Sequence, residues 1–257
     1  MEISFFEEFP TTQSLSLLKL IDFPTKLYLS AHSLNEFRRL ESKKSKIGII
    51  HKLPLQIIYW IVLKKWEGYW ISPFSVRSAL QRTFNELTGK HINMMLDLEN
   101  PAHAPWLYVV EALNFNRNKQ FIKEFIDNSP LPVTLVELSG ADDKLSFWGL
   151  HYANERANIV KMVYTSLKTI RLGRPHSLIR LREVCESGVA NYGQRFKIGL
   201  GCIATGVAGW EPILSPDQLA EDLNIAKELG VREAIIFRLA GLTEEYVRAI
   251  KTLPILF

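Results

Sequence analysis

Hydrophobic and polar positions along the chain alternate between two kinds of pattern. Short runs rich in β-branched and aromatic residues are separated by longer runs in which apolar residues recur every three to four positions. The run at residues 55–63 is almost continuously apolar, as is typical of a parallel strand covered on both faces. The pattern predicts eight strands, at residues 3–7, 26–31, 55–63, 92–97, 132–138, 159–164, 197–203 and 234–239.

Capping residues mark where several of the intervening helices begin or end. Ser33 with Glu36 and Ser215 with Gln218 have the spacing of a capping box, and Gly230 is placed to end a helix. The predicted helices cover residues 14–20, 34–42, 75–87, 104–126 with a break near Asn116, 145–153, 175–191, 216–229 and 243–253.

Eight strand and helix pairs in 257 residues predict a (β/α)8 barrel of the TIM type. A doubly wound sheet would not need so many regular repeats. No linker rich in Pro, Gly or Ser interrupts the chain, and 47% of its residues are hydrophobic. We therefore expect a single domain over residues 1–257.

The composition argues against several kinds of partner. The first eight residues are acidic and lack the basic and apolar regions of a signal peptide, which predicts a cytoplasmic protein. The longest apolar run is interrupted by Pro54 and Gln56, so we expect no membrane partner. The net charge of +4 comes without the interleaved aromatic residues of nucleic-acid-binding motifs, and no nucleic-acid partner is expected. The apolar residues 253–257 either pack on the barrel or form a contact in a homo-oligomer.

Acidic residues stand at the carboxyl ends of the predicted strands, where barrels of this type carry out their chemistry. Asp97 and Glu99 share one side of strand four, because successive side chains of a strand alternate between its faces. Arg238 is placed to balance some of the negative charge. The sequence predicts Glu99, Asp97 and Glu137 as catalytic residues and Glu8, Trp70, Tyr164, Trp210 and Arg238 as substrate-binding residues.

Aromatic residues near these strand ends indicate the kind of substrate. Five tryptophans fall in or just after segments that follow strands, and flat aromatic faces stack on sugar rings. The predicted partner is therefore a small molecule, with a sugar as the leading candidate. The five are Trp66, Trp70, Trp106, Trp148 and Trp210.

The stretch Leu-Asp-Leu-Glu-Asn at residues 96–100 resembles the fourth-strand Asp-x-Glu signature of barrel glycoside hydrolases, including the chitinase-like and lysozyme-like barrels. The resemblance implies that Glu99 protonates the glycosidic oxygen and that Asp97 raises the proton affinity of Glu99. The second carboxylate stays open between Glu137, Glu8 and Glu211. A separation of about 5 Å between the two carboxyl groups would indicate retention, and one of about 6.5–9.5 Å inversion.

Three other functions stay open from the residues alone. Lys161 lies inside strand six, where it could form the Schiff base of an aldolase or lyase, and the glycines around strand seven could hold the phosphate of a phosphorylated sugar. No cofactor is predicted, but the acids could bind Mg²⁺ or Mn²⁺ in an isomerase. The third alternative is a barrel that binds a ligand without catalysis.

Overall fold

The predicted (β/α)8 barrel is confirmed. The computed structural model describes residues 1–46, 54–152 and 154–252. In it the parallel strands hydrogen-bond in chain order, from β1 to β8, and β8 pairs again with β1. The strands are β1 (Glu2–Glu7), β2 (Thr25–Ala31), β3 (Leu55–Ile61), β4 (Met94–Leu98), β5 (Thr134–Leu138), β6 (Asn158–Met162), β7 (Phe196–Gly201) and β8 (Glu233–Phe237).

Helices follow the strands. They are α1 (Thr12–Ser16), α2 (Leu34–Lys46), α3 (Arg77–Leu87), α4 (Leu107–Val110), α5 (Phe115–Asp127), α6 (Asp142–Phe147), α7 (Thr165–Tyr192), α8 (Pro216–Glu228) and α9 (Glu244–Lys251). The predicted cap of α8 is confirmed, since the Ser215 side chain accepts a hydrogen bond from the backbone N–H of Gln218. No described helix is both long and apolar enough to cross a membrane. The apolar residues 253–257 lie outside the described residues.

Three predicted helices had the wrong bounds. The helix predicted at 145–153 begins earlier, with Asp142 and Asp143 in its first turn, and Gly149 in the left-handed region (φ 66°) lies just past its end. The helix predicted at 175–191 begins at Thr165 and is broken at Gly173, whose φ is 77°. The break predicted near Asn116 lies earlier, between α4 and α5.

The chain divides into two compact units. The first unit comprises Met1–Leu29, Leu40–Ile57 and Val160–Phe257, and the second comprises Ser30–Arg39 and Ile58–Ile159. Each unit is described separately below, over the residues that the structure describes.

A buried polar network occupies the concave side of the sheet in the first unit. Lys197 Nζ lies 3.0 Å from Tyr28 Oη, although their strands, β7 and β2, are separated by β8 and β1. Glu233 accepts hydrogen bonds from Ser4 and Tyr28, and it pairs with Lys26 at 2.6 Å and Lys197 at 2.9 Å. Burial alone would raise the pKa of Glu233, but the two lysines hold it below its usual value. These contacts lie at the amino ends of the strands, the end that serves stability in this fold.

A second buried acid joins α7 to α8. Asp222 is fully buried, and its Oδ2 accepts a 2.5 Å hydrogen bond from the Thr165 hydroxyl. Arg174 Nη2 lies 2.8 Å from Asp222 Oδ1 but is not aligned for a hydrogen bond, so the contact is an ion pair. Arg174 directly follows the break at Gly173 and also donates to the backbone oxygen of Gln218. Arg174 therefore holds the second half of α7 against α8.

Burial raises the pKa of Asp222 to about 6, although Thr165 and Arg174 oppose the shift. The folded protein then binds a proton that the unfolded chain releases at lower pH. The contribution of Asp222 to stability should therefore fall as the pH rises from about 4 to about 6, by about 1.4 kcal/mol per pH unit. Urea unfolding of the wild type and Asp222→Asn across this range measures the contribution as a difference. If the free energies of unfolding of the two proteins changed with pH in the same way, the raised pKa of Asp222 would be contradicted.

Candidate active site at the carboxyl end of strand four

The two faces of the sheet in the second unit are fixed by a ring contact and by strand register. Tyr59 of β3 stacks on Phe37 of α2, with ring centroids 4.8 Å apart, so Tyr59 faces the helices. Trp60 therefore points to the opposite face, and Asp97 shares that face because Trp60 pairs with Met95. Asp97 is 3% exposed, whereas Glu99, two residues later, is half-buried and accessible. Strand β4 thus carries a buried carboxyl group near its end, and a partly exposed one follows two residues later.

A backbone bridge brings Trp70 to the carboxyl end of β4. Ile71 pairs with Leu98 as an isolated parallel bridge, and its N–H donates to the backbone oxygen of Asp97 at 2.9 Å. Trp70 directly precedes Ile71, so its main chain lies next to the end of the strand that carries Asp97. Trp70 is half-buried, so part of the residue is exposed to solvent.

The loop that carries Trp70 is held firmly. Tyr69 adopts a φ of 61°, in the left-handed region that non-glycine residues seldom occupy, and such positions cluster at functional sites. Glu67 receives two hydrogen bonds from Arg82, at 3.0 and 2.9 Å. The Ser75 hydroxyl donates to the backbone oxygen of Trp70 at 2.9 Å. The position of Trp70 is therefore set before any ligand arrives.

His103 completes the aromatic part of the site. Its ring lies 5.1 Å from that of Trp70 and 6.2 Å from that of Tyr69. His103 was not among the predicted site residues. The available signal was its place in the loop that directly follows β4, but a histidine in a loop is too common to be assigned without the stacking contact.

Glu137 does not join Asp97. The register pairs Glu137 with Leu98 and Val136 with Asp97, so Glu137 points to the helix-facing side. There it is fully buried, and both of its oxygens lie 3.1 Å from Nδ1 of the buried His151. Glu137 was predicted among the catalytic acids because the sequence does not show which residues of β5 face the inside of the barrel.

Two other acids approach each other in the first unit. A Cβ atom built on Gly206 would lie 2.9 Å from Glu8 Oε2 and 3.0 Å from Glu211 Oε1. These oxygens are therefore closer to each other than the separation of about 6.5–9.5 Å in inverting glycosidases. Glu8 is 4% exposed, and Glu211 accepts a hydrogen bond from the N–H of Ala208. Glu211 was considered only as a second carboxylate, because the sequence shows it well past the end of strand seven.

The other predicted binding residues of the first unit have different surroundings. The Tyr164 ring lies 5.5 Å from that of Phe237, and its hydroxyl contacts the Met162 sulfur at 3.4 Å. Trp210 is 66% exposed in the loop before α8. Arg238 is bound to Glu7 at 2.8 Å and to the backbone oxygen of Thr205, so its guanidinium group is already engaged within the protein.

The geometry bears on the aldolase and isomerase alternatives. A Cβ atom built on Gly199 would contact the side chains of Val160 and Met162, so these side chains lie on the same face of the sheet as residue 199. Lys161, between them, therefore points to the opposite face. Lys197 shares the face of Gly199, so Lys161 also points away from Lys197. Glu8 and Glu211 beside Gly206 would repel a phosphate group. Within residues 1–46, 54–152 and 154–252, no group of three His, Cys, Asp or Glu side chains could hold a metal ion. These observations do not favour either alternative.

Comparisons with known proteins show the fold. No protein-family model matches the sequence, and neither does any curated protein. Among solved structures, the chain is similar to the Bacillus cereus spore cortex-lytic enzyme SleL, with a TM-score of 0.52 and 10% identity over 97% of this chain and 73% of that one. It is also similar to a xylose isomerase domain protein from Planctomyces limnophilus, with a TM-score of 0.51 and 10% identity over 98% and 94% of the two chains. At this identity the likeness concerns the barrel alone.

Proposed function

We propose that the protein hydrolyses glycosidic bonds at a site in its second unit, with Glu99 as the general acid. The observation that carries this proposal is the bridge between Ile71 and Leu98, which brings the loop of Trp70 to the end of β4, where Asp97 and Glu99 lie. A partly exposed acid, a buried acid two residues before it and a half-buried aromatic residue support the proposal, because glycosidases protonate the leaving oxygen with a carboxylic acid and flat rings stack on sugars. The similarity to a cortex-lytic enzyme is consistent with this proposal but shows only the fold.

In the proposed reaction, Glu99 gives its proton to the glycosidic oxygen as the bond from that oxygen to the anomeric carbon breaks. Water supplies the hydroxyl group that the anomeric carbon gains, and the remaining proton of that water restores the acid. Asp97 is a positioning residue, which orients Glu99 from its buried place two residues earlier. Trp70 stacks on the apolar face of the sugar and fixes the scissile bond near Glu99.

The proposed function is tested by measuring turnover of a panel of aryl glycosides and oligosaccharides by the full chain, with and without a chelator. We expect hydrolysis of at least one sugar configuration that is unaffected by the chelator. Proton NMR of the first-formed anomer then shows whether configuration is retained or inverted. Failure to hydrolyse any member of the panel, or activity that the chelator abolishes, would contradict the proposal.

Trp70→Ala should weaken substrate binding more than it slows the bond-breaking step. Removing a sugar-stacking ring is expected to raise KM about tenfold, with kcat changed less, because the acid stays in place. Steady-state kinetics on the best glycoside of the panel measures both constants. Trp66→Ala is the matched control, since Trp66 belongs to the same loop but is 61% exposed. An equal effect of the two substitutions would argue against Trp70 as the sugar platform.

A further inference from the structure

The segment after β4 in the second unit exposes its apolar residues and buries its acid. Val109, Val110 and Leu113 are 80%, 63% and 94% exposed. Glu111, between them, is 6% exposed and accepts a hydrogen bond from Asn114 at 2.9 Å. A surface helix of a globular protein normally has the opposite polarity. An inverted segment of this kind indicates a surface that is covered by something outside the chain.

Residues on either side of this exposed segment belong to an aromatic cluster. The ring of Phe74 contacts those of Tyr108, Phe115 and Trp148, at 4.8, 4.9 and 6.3 Å. Phe147 packs edge-on against Trp148 at 5.3 Å and is 69% exposed. We call the large apolar residues at positions 106–113 and 147–148 that are at least 45% exposed the apolar face. It consists of Trp106, Val109, Val110, Leu113, Phe147 and Trp148.

Basic side chains accompany the apolar face. Arg117 and Lys144 are exposed on α5 and α6, and Lys119 binds the backbone oxygens of Ser146 and Phe147. The loop that carries Phe74 also exposes Lys64 and Lys65. Two acids, Asp142 and Asp143, are also present in the first turn of α6, where the positive end of the helix offsets part of their charge.

The chemistry of this surface fits an anionic lipid bilayer. Tryptophan and tyrosine rings prefer the boundary between headgroups and acyl chains, valine and leucine enter the acyl region, and nearby cations pair with lipid phosphates. A second copy of the chain fits less well, because a two-fold contact would bring the same cations together. We propose that the apolar face docks the protein peripherally on an anionic lipid surface. This proposal does not depend on the proposed hydrolase function. It replaces the expectation of no membrane partner, which rested on the lack of a spanning apolar run, because peripheral docking needs no such run.

The test is cosedimentation of the full chain with sucrose-loaded vesicles. One set contains phosphatidylcholine alone, and the other contains phosphatidylcholine with about one third phosphatidylglycerol, a content at which polybasic surfaces bind measurably. We expect binding to the anionic set that weakens with added salt. Val109→Glu/Leu113→Glu should lower the partition coefficient about tenfold or more. Arg117→Glu/Lys144→Glu should remove the preference for anionic vesicles.

The matched control is Ile170→Glu/Ile179→Glu, which places the same two charges on exposed isoleucines (65% and 54%) of α7. It should bind vesicles like the wild type. Circular dichroism of all variants shows that each is folded, and because the substituted residues are exposed we expect no loss of structure. Absence of vesicle binding by the wild type, or equal loss in the control, would overturn the proposal. So would dimerisation of the wild type in analytical ultracentrifugation that Val109→Glu/Leu113→Glu abolishes while vesicle binding is unchanged.

Discussion

Glu99→Gln is expected to slow hydrolysis of glycosides with poor leaving groups by about 10²- to 10⁴-fold, the usual contribution of a general acid. Glutamine keeps the shape of the side chain but has no proton to give to the glycosidic oxygen. The effect should nearly vanish for a dinitrophenyl glycoside, because that leaving group departs without protonation. Stability should change by no more than about 0.5 kcal/mol, since Glu99 is only half-buried.

The leaving-group dependence separates acid catalysis from a merely structural role. Kinetics with a series of aryl glycosides of increasing phenol acidity gives the dependence, and Glu124→Gln on the exposed face of α5 is the matched control. Asp97→Asn should shift the basic limb of the pH profile, because it changes the surroundings of the Glu99 proton. If Glu211→Gln, rather than Glu99→Gln, loses rate selectively on poor leaving groups, the acid lies in the first unit and the assignment to Glu99 is wrong.

Glu233→Gln should have the largest effect on stability, a loss of about 3–5 kcal/mol. The substitution leaves Lys26 and Lys197 without the carboxylate that both contact, and Lys197 is only 8% exposed. Burial already lowers the pKa of Lys197 while Glu233 raises it, so loss of Glu233 favours the neutral amine. Urea denaturation at pH 7 measures the change in the free energy of unfolding.

Glu244→Gln provides the comparison for the ion pairs of the first unit. Glu244 pairs with Arg248 at 3.7 Å on the exposed face of α9, and loss of such a pair costs about 0.5 kcal/mol or less. Adding Lys197→Met to Glu233→Gln should restore part of the lost stability, because it removes a buried amine that has lost its carboxylate partner. Equal costs for Glu233→Gln and Glu244→Gln would show that the buried network does not stabilise the barrel.

The sequence predicted the barrel because each strand carries its own local signal. A continuous apolar run such as β3 and a capped helix such as α8 are visible without knowledge of any tertiary contact. Helix ends were less certain where a left-handed glycine decided them, as Gly149 and Gly173 do. Such a glycine looks the same in the sequence as one that merely lies on the surface.

The candidate site was predicted only in part, since its assembly depends on register. Asp97 and Trp70 come together through the pairing of Ile71 with Leu98, which joins segments that are not neighbours in the chain. The same register sends Glu137 to the helix side, where His151 meets it. A one-residue change in register would exchange these faces, and no residue in β5 indicates which of the two registers the strand adopts.

The main-chain bridge between Ile71 and Leu98 has a consequence for how specificity could diversify. The bridge and the Ser75 hydroxyl hold the main chain around residue 70 without using the Trp70 side chain, so that side chain can vary without loss of this support. A single substitution at residue 70 could then change ligand specificity while the fold is kept. Variants at this position, whether natural or from a designed library, should therefore lose little stability.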